Sequence, residues 1–125
     1  MNFKTKTMHT ENLAIVKIYF RYGQSVTGQN FWRRIWNNNL GDYLLKKAKQ
    51  SSINQANIFT AKSGYLNNGR IQYNISEIPS SENTVCLELI DDYNKLKNFL
   101  NENAEFLRAT HLILINNHKF NYDSN

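Results

Sequence analysis

Residues 56–70, ANIFTAKSGYLNNGR, decide the fold. A short apolar and aromatic run breaks there into a turn-rich segment with two glycines, a lysine and an arginine, the composition of a strand that feeds a loop. The run reads as the second strand, residues 53–61, of a small α+β domain. Residues 62–82 read as a long connection and the base of a ligand-sensing loop. Asn67-Asn68-Gly69 predicts a local hairpin within it, with residues 70–75 as the return strand.

The flanking sequence supplies the partners of that strand. Upstream, residues 40–52 place Leu40, Leu44 and Ala48 on one helical stripe with Tyr43 beside it, and turn Lys46, Lys47 and Lys49 outward. Residues 13–20, LAIVKIYF, are rich in β-branched residues and read as a central strand. Between them lie a glycine-bounded loop, residues 21–28, and the segment 29–39. That segment spaces Phe31, Trp32, Ile35 and Trp36 almost as a helix does and ends in three asparagines, which leaves one kinked helix or two equally open. Downstream, residues 84–90, TVCLELI, form a strand. Asp91 reads as the N-cap of a helix over 92–106 with an inner stripe of Tyr93, Leu96, Leu100, Asn103 or Ala104, and Leu107. Residues 110–116 give the last strand. A polar leader, residues 1–12, and a polar tail, residues 118–125, flank a domain over 13–117.

Two strand–helix–strand units of this length predict a ferredoxin-like βαββαβ arrangement, a four-stranded antiparallel sheet with both helices on one face. The other face should then be polar, yet Ile15, Tyr19, Phe59, Ile90, Ile113 and Ile115 fall on it. The expectation is a homo-oligomer that covers this face.

The 125 residues suffice for one domain with its own core. Fifteen Lys and Arg against ten Asp and Glu give a formal charge of +5, which favours anionic partners, although the cations are scattered apart from Arg33-Arg34 and Lys46-Lys47-Lys49. One cysteine, Cys86, rules out an intrachain disulfide and a multi-cysteine zinc site, as suits a reducing cytoplasm. The run at 13–20 is too short for a membrane span and Lys17 interrupts it.

Gly28-Gln29-Asn30-Phe31-Trp32, residues 44–59 (LLKKAKQSSINQANIF), Ser63-Gly64-Tyr65, Asn68-Gly69-Arg70-Ile71 and residues 84–100 (TVCLELIDDYNKLKNFL), in this order and spacing, resemble the domain of unknown function 190 group of PII-like proteins. The resemblance covers residues 14–115. It implies a ferredoxin-like subunit of a homotrimer, a loop after the second strand that responds to ligand, and a small anion or an adenine nucleotide held between subunits. It implies no catalytic activity and no tightly held cofactor. The chain departs from the pattern by an insertion around 33–39 and by Ala61-Lys62-Ser63 before the loop glycine. The phosphate-cradling lysine and arginines of true PII proteins near the last helix and tail have no counterpart here.

The candidate ligand site comprises Lys62, Gly64, Tyr65, Asn68, Gly69 and Arg70 on the loop, joined by Arg21, Tyr22, Gly28 and Gln29 after the first strand. Glycines let backbone approach a ligand, and lysine and arginine meet phosphate or carboxylate with charge. A rival reading makes Phe31, Trp32, Arg33, Arg34 and Trp36 a docking surface for a target protein, with no small ligand. A third, a nucleic-acid-binding domain, rests on net charge alone. His9, His111 and His118 lie too far apart in the chain to predict a metal site.

Overall fold

The structure is a computed structural model that describes residues 12–23, 40–74 and 80–116. In chain order its elements are β1 (Leu13–Arg21), α1 (Leu40–Gln50), β2 (Gln55–Thr60), β3 (Ser63–Gly64), β4 (Gln72–Tyr73), β5 (Thr84–Asp92), α2 (Tyr93–Glu102), α3 (Ala104–Leu107) and β6 (His111–Asn116). The main sheet runs β2-β5-β1-β6 and every neighbouring pair is antiparallel. This is the ferredoxin-like order, with β1 and β5 central.

Alternation along the central strands builds the core. Ala14, Val16, Ile18 and Phe20 of β1, with Val85, Leu87 and Leu89 of β5, are buried on the face that the helices cover. From α1 come Leu40, Tyr43, Leu44 and Ala48, and from α2 and α3 come Leu96, Phe99, Phe106 and Leu107. Gly41 lets α1 settle on β1, since a Cβ there would stand 3.0 Å from the Phe20 ring. Tyr43 and Phe106 meet edge to face at 4.8 Å between centroids.

Helix α1 ends in a Schellman motif. Ile53 N–H bonds Ala48 O at 3.0 Å and Ser52 N–H bonds Lys49 O at 3.1 Å, with Ser52 in the left-handed region at φ 59° and Ile53 buried behind it. Lysines 47 and 49 in the last turn suit the negative end of the helix dipole.

The region after β5 departs from expectation. Asp91 is not a helix cap: the strand continues to Asp92, and α2 begins at Tyr93 with no side-chain cap. The Asp91 carboxylate instead accepts the N–H of Asn54 at 2.8 Å and of Asp92 at 2.6 Å and pairs with Lys95 Nζ at 3.0 Å. Lys95 Nζ also donates to the carbonyl of Ser52. One carboxylate thus ties the end of α1, the end of β5 and the first turn of α2 together.

The expected single helix is also divided. Buried Asn103 donates to Phe99 O from both its backbone N–H at 3.1 Å and its side chain at 2.9 Å, and its non-helical backbone at φ −111° separates α2 from α3. The inner stripe is accordingly Leu96, Phe99, Phe106 and Leu107, with Leu100 half-buried rather than central.

The other face of the sheet is open and apolar, as the alternation predicts. Phe59 is 54% exposed, Ile113 51% and Ile115 43%, and Ile15, Tyr19 and Ile90 are half-buried between them. The helix expected over 29–36 lies outside the described residues.

Candidate functional site

The chain's polar machinery gathers where β1 ends. Beyond Arg21 the backbone stays paired with the approach to β5: Tyr22 N–H bonds Asn83 O at 2.8 Å, and Gly23 N–H bonds Ser81 O at 2.9 Å. Gly23 is dictated by space, because a Cβ there would lie 2.5 Å from the Ser81 Cβ and 3.0 Å from its Cα.

The second strand continues into a hairpin of its own. Ala61 N–H bonds Thr84 O and Asn74 N–H bonds Lys62 O, both at 2.8 Å, and β3 pairs antiparallel with β4. Its tip is closed by Gly69 N–H to Leu66 O at 3.0 Å, with Asn67 and Asn68 both at φ 55°. Two central residues of positive φ define a type I′ turn, which matches the twist of a hairpin. The left-handed positions are therefore the two asparagines. Gly64 and Gly69 have no positive φ, so their role is not the conformational one expected of loop glycines.

Between the hairpin tip and the end of β1 lies a cavity of about 430 Å³, lined by Phe20, Arg21, Gly23, Leu66, Asn67, Ser81, Glu82, Ala109 and His111. Arg21 Nε stands 3.5 Å from Glu82 Oε2, with both side chains about half exposed (55% and 52%). Beside the cavity, the base of the hairpin carries polar atoms without hydrogen-bond partners among the described residues. Asn83, 1% exposed, bonds through neither Oδ1 nor Nδ2, and Thr84 Oγ1 and Asn74 Oδ1 are likewise unbonded. Buried polar atoms left in this state are uncommon in folded proteins.

Of the residues singled out in sequence, Arg21 enters this cavity. Tyr22 lies on the opposite side of the chain and lines a smaller cleft of about 140 Å³ with Gly41, Ile58 and Thr60. Lys62, Gly64, Tyr65, Asn68, Gly69 and Arg70 follow the hairpin next to the cavity without lining it. Gly28, Gln29, Phe31, Trp32, Arg33, Arg34 and Trp36 lie outside the described residues. Asn67, Ser81, Glu82 and His111 were missed. Asn67 belongs to the hairpin turn that the sequence does mark, whereas Ser81, Glu82 and His111 are brought in by long-range pairing, Arg21 against Thr84 and Tyr19 against His111, and no local pattern marks them.

The electrostatics are lopsided. Residues 61–74 hold Lys62 and Arg70 and no carboxylate, so the hairpin is positive and Glu82 balances only Arg21. Cys86, on the open face of β5, has its thiol pushed above the ordinary range by burial, despite a hydrogen bond with Tyr19 and the nearby charge of Lys17. It is thus poorly set up as a nucleophile. Among the described residues no three His, Cys, Asp or Glu side chains converge as metal ligands, and no helix is long and apolar enough to cross a membrane.

No curated protein matches the chain. Among solved structures, one from Thermus thermophilus, described as a proposed PII-like signalling protein, aligns at 14% identity over 84% of each chain with a TM-score of 0.48. The model of family DUF190, described as uncharacterized ACR, matches residues 13–119. That span takes in every element from β1 to β6. The chain therefore belongs to the DUF190 family.

Proposed function

We propose that this protein is a PII-like regulatory subunit that binds a small anionic ligand, with an adenine nucleotide as the leading candidate, in the cavity between Arg21 and the hairpin tip. The carrying observation is that Leu66 and Asn67 of the hairpin and Arg21 of β1 line one cavity of about 430 Å³, a volume within the range of small-molecule sites. A ligand seated there touches the hairpin and the sheet together, so its arrival changes the balance between hairpin positions, which a target protein then reads. The proposal includes a homotrimer built through the open apolar face, a cytoplasmic setting in keeping with a single free cysteine, and regulation rather than catalysis.

Glu82 bears directly on the ligand's charge. An ion pair between half-exposed groups is worth only about 0–1 kcal/mol, so an entering anion can take over Arg21 at little cost. The carboxylate that remains nearby then repels it. Glu82→Gln is expected to tighten anion binding about 3- to 10-fold and Arg21→Ala to weaken it about 10-fold or more.

The test is the melting temperature of the protein with ATP, ADP, AMP or inorganic phosphate. A ligand at about 100 times its dissociation constant adds about 2.7 kcal/mol. The expected result is a rise with at least one nucleotide, larger in Glu82→Gln and, at the same ligand concentration, cut to about half or less in Arg21→Ala. No rise with any of them overturns the ligand-sensing reading.

A further inference from the structure

The open face of the sheet holds two charges at its centre. Register places Lys17 of β1 directly opposite Glu88 of β5, with Asn57 flanking the glutamate and Ile113 flanking the lysine. The row on one side runs through Gln55, Ile90, Ile15 and Ile115. The row on the other side runs through Phe59, Cys86, Tyr19 and His111. A lysine and a glutamate thus sit between two rows that are mostly apolar, with Gln55 and His111 on the edge strands.

Cross-strand neighbours have Cβ atoms about 4.5–5.5 Å apart, well within reach for an ion pair. Yet Lys17 and Glu88 form no ion pair with each other, and among the described residues neither has another ionic partner. Both are half-buried by their own neighbours. A face this apolar calls for a cover, and whatever covers it must meet one positive and one negative charge side by side.

Other copies of the same chain satisfy that demand, because in a closed ring the lysine of each copy can meet the glutamate of the next and no charge is left over. Apolar rows alone attract without fixing alignment, whereas a charge pair in their midst costs free energy in every register but one. We infer that the open face associates with other copies of this chain in a register set by Lys17 of one subunit against Glu88 of the next. This inference rests on the reading that the protein assembles through this face, and adds which residues decide how.

The experiment compares wild type, Lys17→Glu, Glu88→Lys and the double swap Lys17→Glu/Glu88→Lys by native mass spectrometry over a dilution series, with circular dichroism to confirm that each is folded. The expected result is an assembled wild type, about 100-fold weaker assembly in each single variant, and recovery to within about 10-fold in the double swap. Folded single variants that assemble as tightly as wild type overturn the charge register while leaving assembly intact. A double swap no better than the singles also overturns it, since then the charges do not face each other. If a single variant fails to fold, Lys17→Met and Glu88→Gln, which remove one charge without reversing it, must still weaken assembly for the inference to survive. A monomeric wild type at all concentrations removes the assembly reading itself, and the inference with it.

Discussion

Replacing Asp91 with alanine is expected to lower the unfolding free energy at pH 7 by about 2–4 kcal/mol. Asp91 is 8% exposed, and its carboxylate is the shared acceptor for Asn54 N–H, Asp92 N–H and Lys95. Truncation leaves two backbone donors with no acceptor and Lys95 with only the Ser52 carbonyl. The value stays below the upper range for a broken buried pair because the Lys95 side chain is 33% exposed and water can solvate it.

The same carboxylate predicts a pH dependence. Burial alone would raise its pKa, but the hydrogen bonds from Asp92, Lys95 and Asn54 outweigh burial and hold it below the ordinary aspartate value. The folded pKa therefore lies under the unfolded one, about 3.9. The stabilisation is complete above that value and is lost as pH falls through the folded pKa. Urea unfolding of wild type and Asp91→Asn at pH 7 and at pH 2 should show a gap between the two proteins that narrows in acid. A gap that is constant or widens contradicts this assignment.

Gly23→Ala is expected to cost about 1–3 kcal/mol and to damage the candidate site in the same step. The new methyl would stand 2.5 Å from the Ser81 Cβ and 3.0 Å from its Cα, so the neighbour that must yield is backbone. Moving residue 81 stretches the Gly23–Ser81 hydrogen bond and carries Glu82 away from Arg21. Alanine is expected to weaken nucleotide binding more than its loss of stability explains, since Gly23, Ser81, Glu82 and Arg21 all line the cavity. Thermal unfolding gives the first effect and ligand titration of the folded variant the second. A variant that unfolds like wild type and binds equally well would show that the segment has slack.

The fold was legible where burial repeats with a short period. Residues 13–20 announce a central strand because both its faces are largely apolar, residues 84–90 read as a strand, and residues 40–52 show one helical stripe. The order of these elements leads to the sheet that is found. Asp91 was misread because an aspartate before a helical stripe has the local signature of a cap, whereas its actual partners, Asn54 N–H above all, come from the other end of the domain. Asn103 is buried as its place on the inner stripe predicts, but the break in the helix there was not legible: its backbone leaves helical geometry at φ −111° without disturbing the apolar spacing.

The site was legible only in part. Arg21 could be placed because it directly follows a recognisable strand. The turn chemistry pointed to the right stretch, but Asn67 and Asn68, rather than the glycines, hold the left-handed conformation. Glu82 and His111 join the cavity through strand register, a relation between residues far apart in the chain that no spacing rule encodes.

The most direct test of the central claim is the native mass of the purified protein with and without ATP, ADP and AMP. A ligand-sensing PII-like assembly predicts a trimer that gains nucleotide in wild type and needs about 10-fold more nucleotide, or more still, for the same gain in Arg21→Ala. A monomer, or a trimer whose mass is the same with and without all three nucleotides, contradicts it.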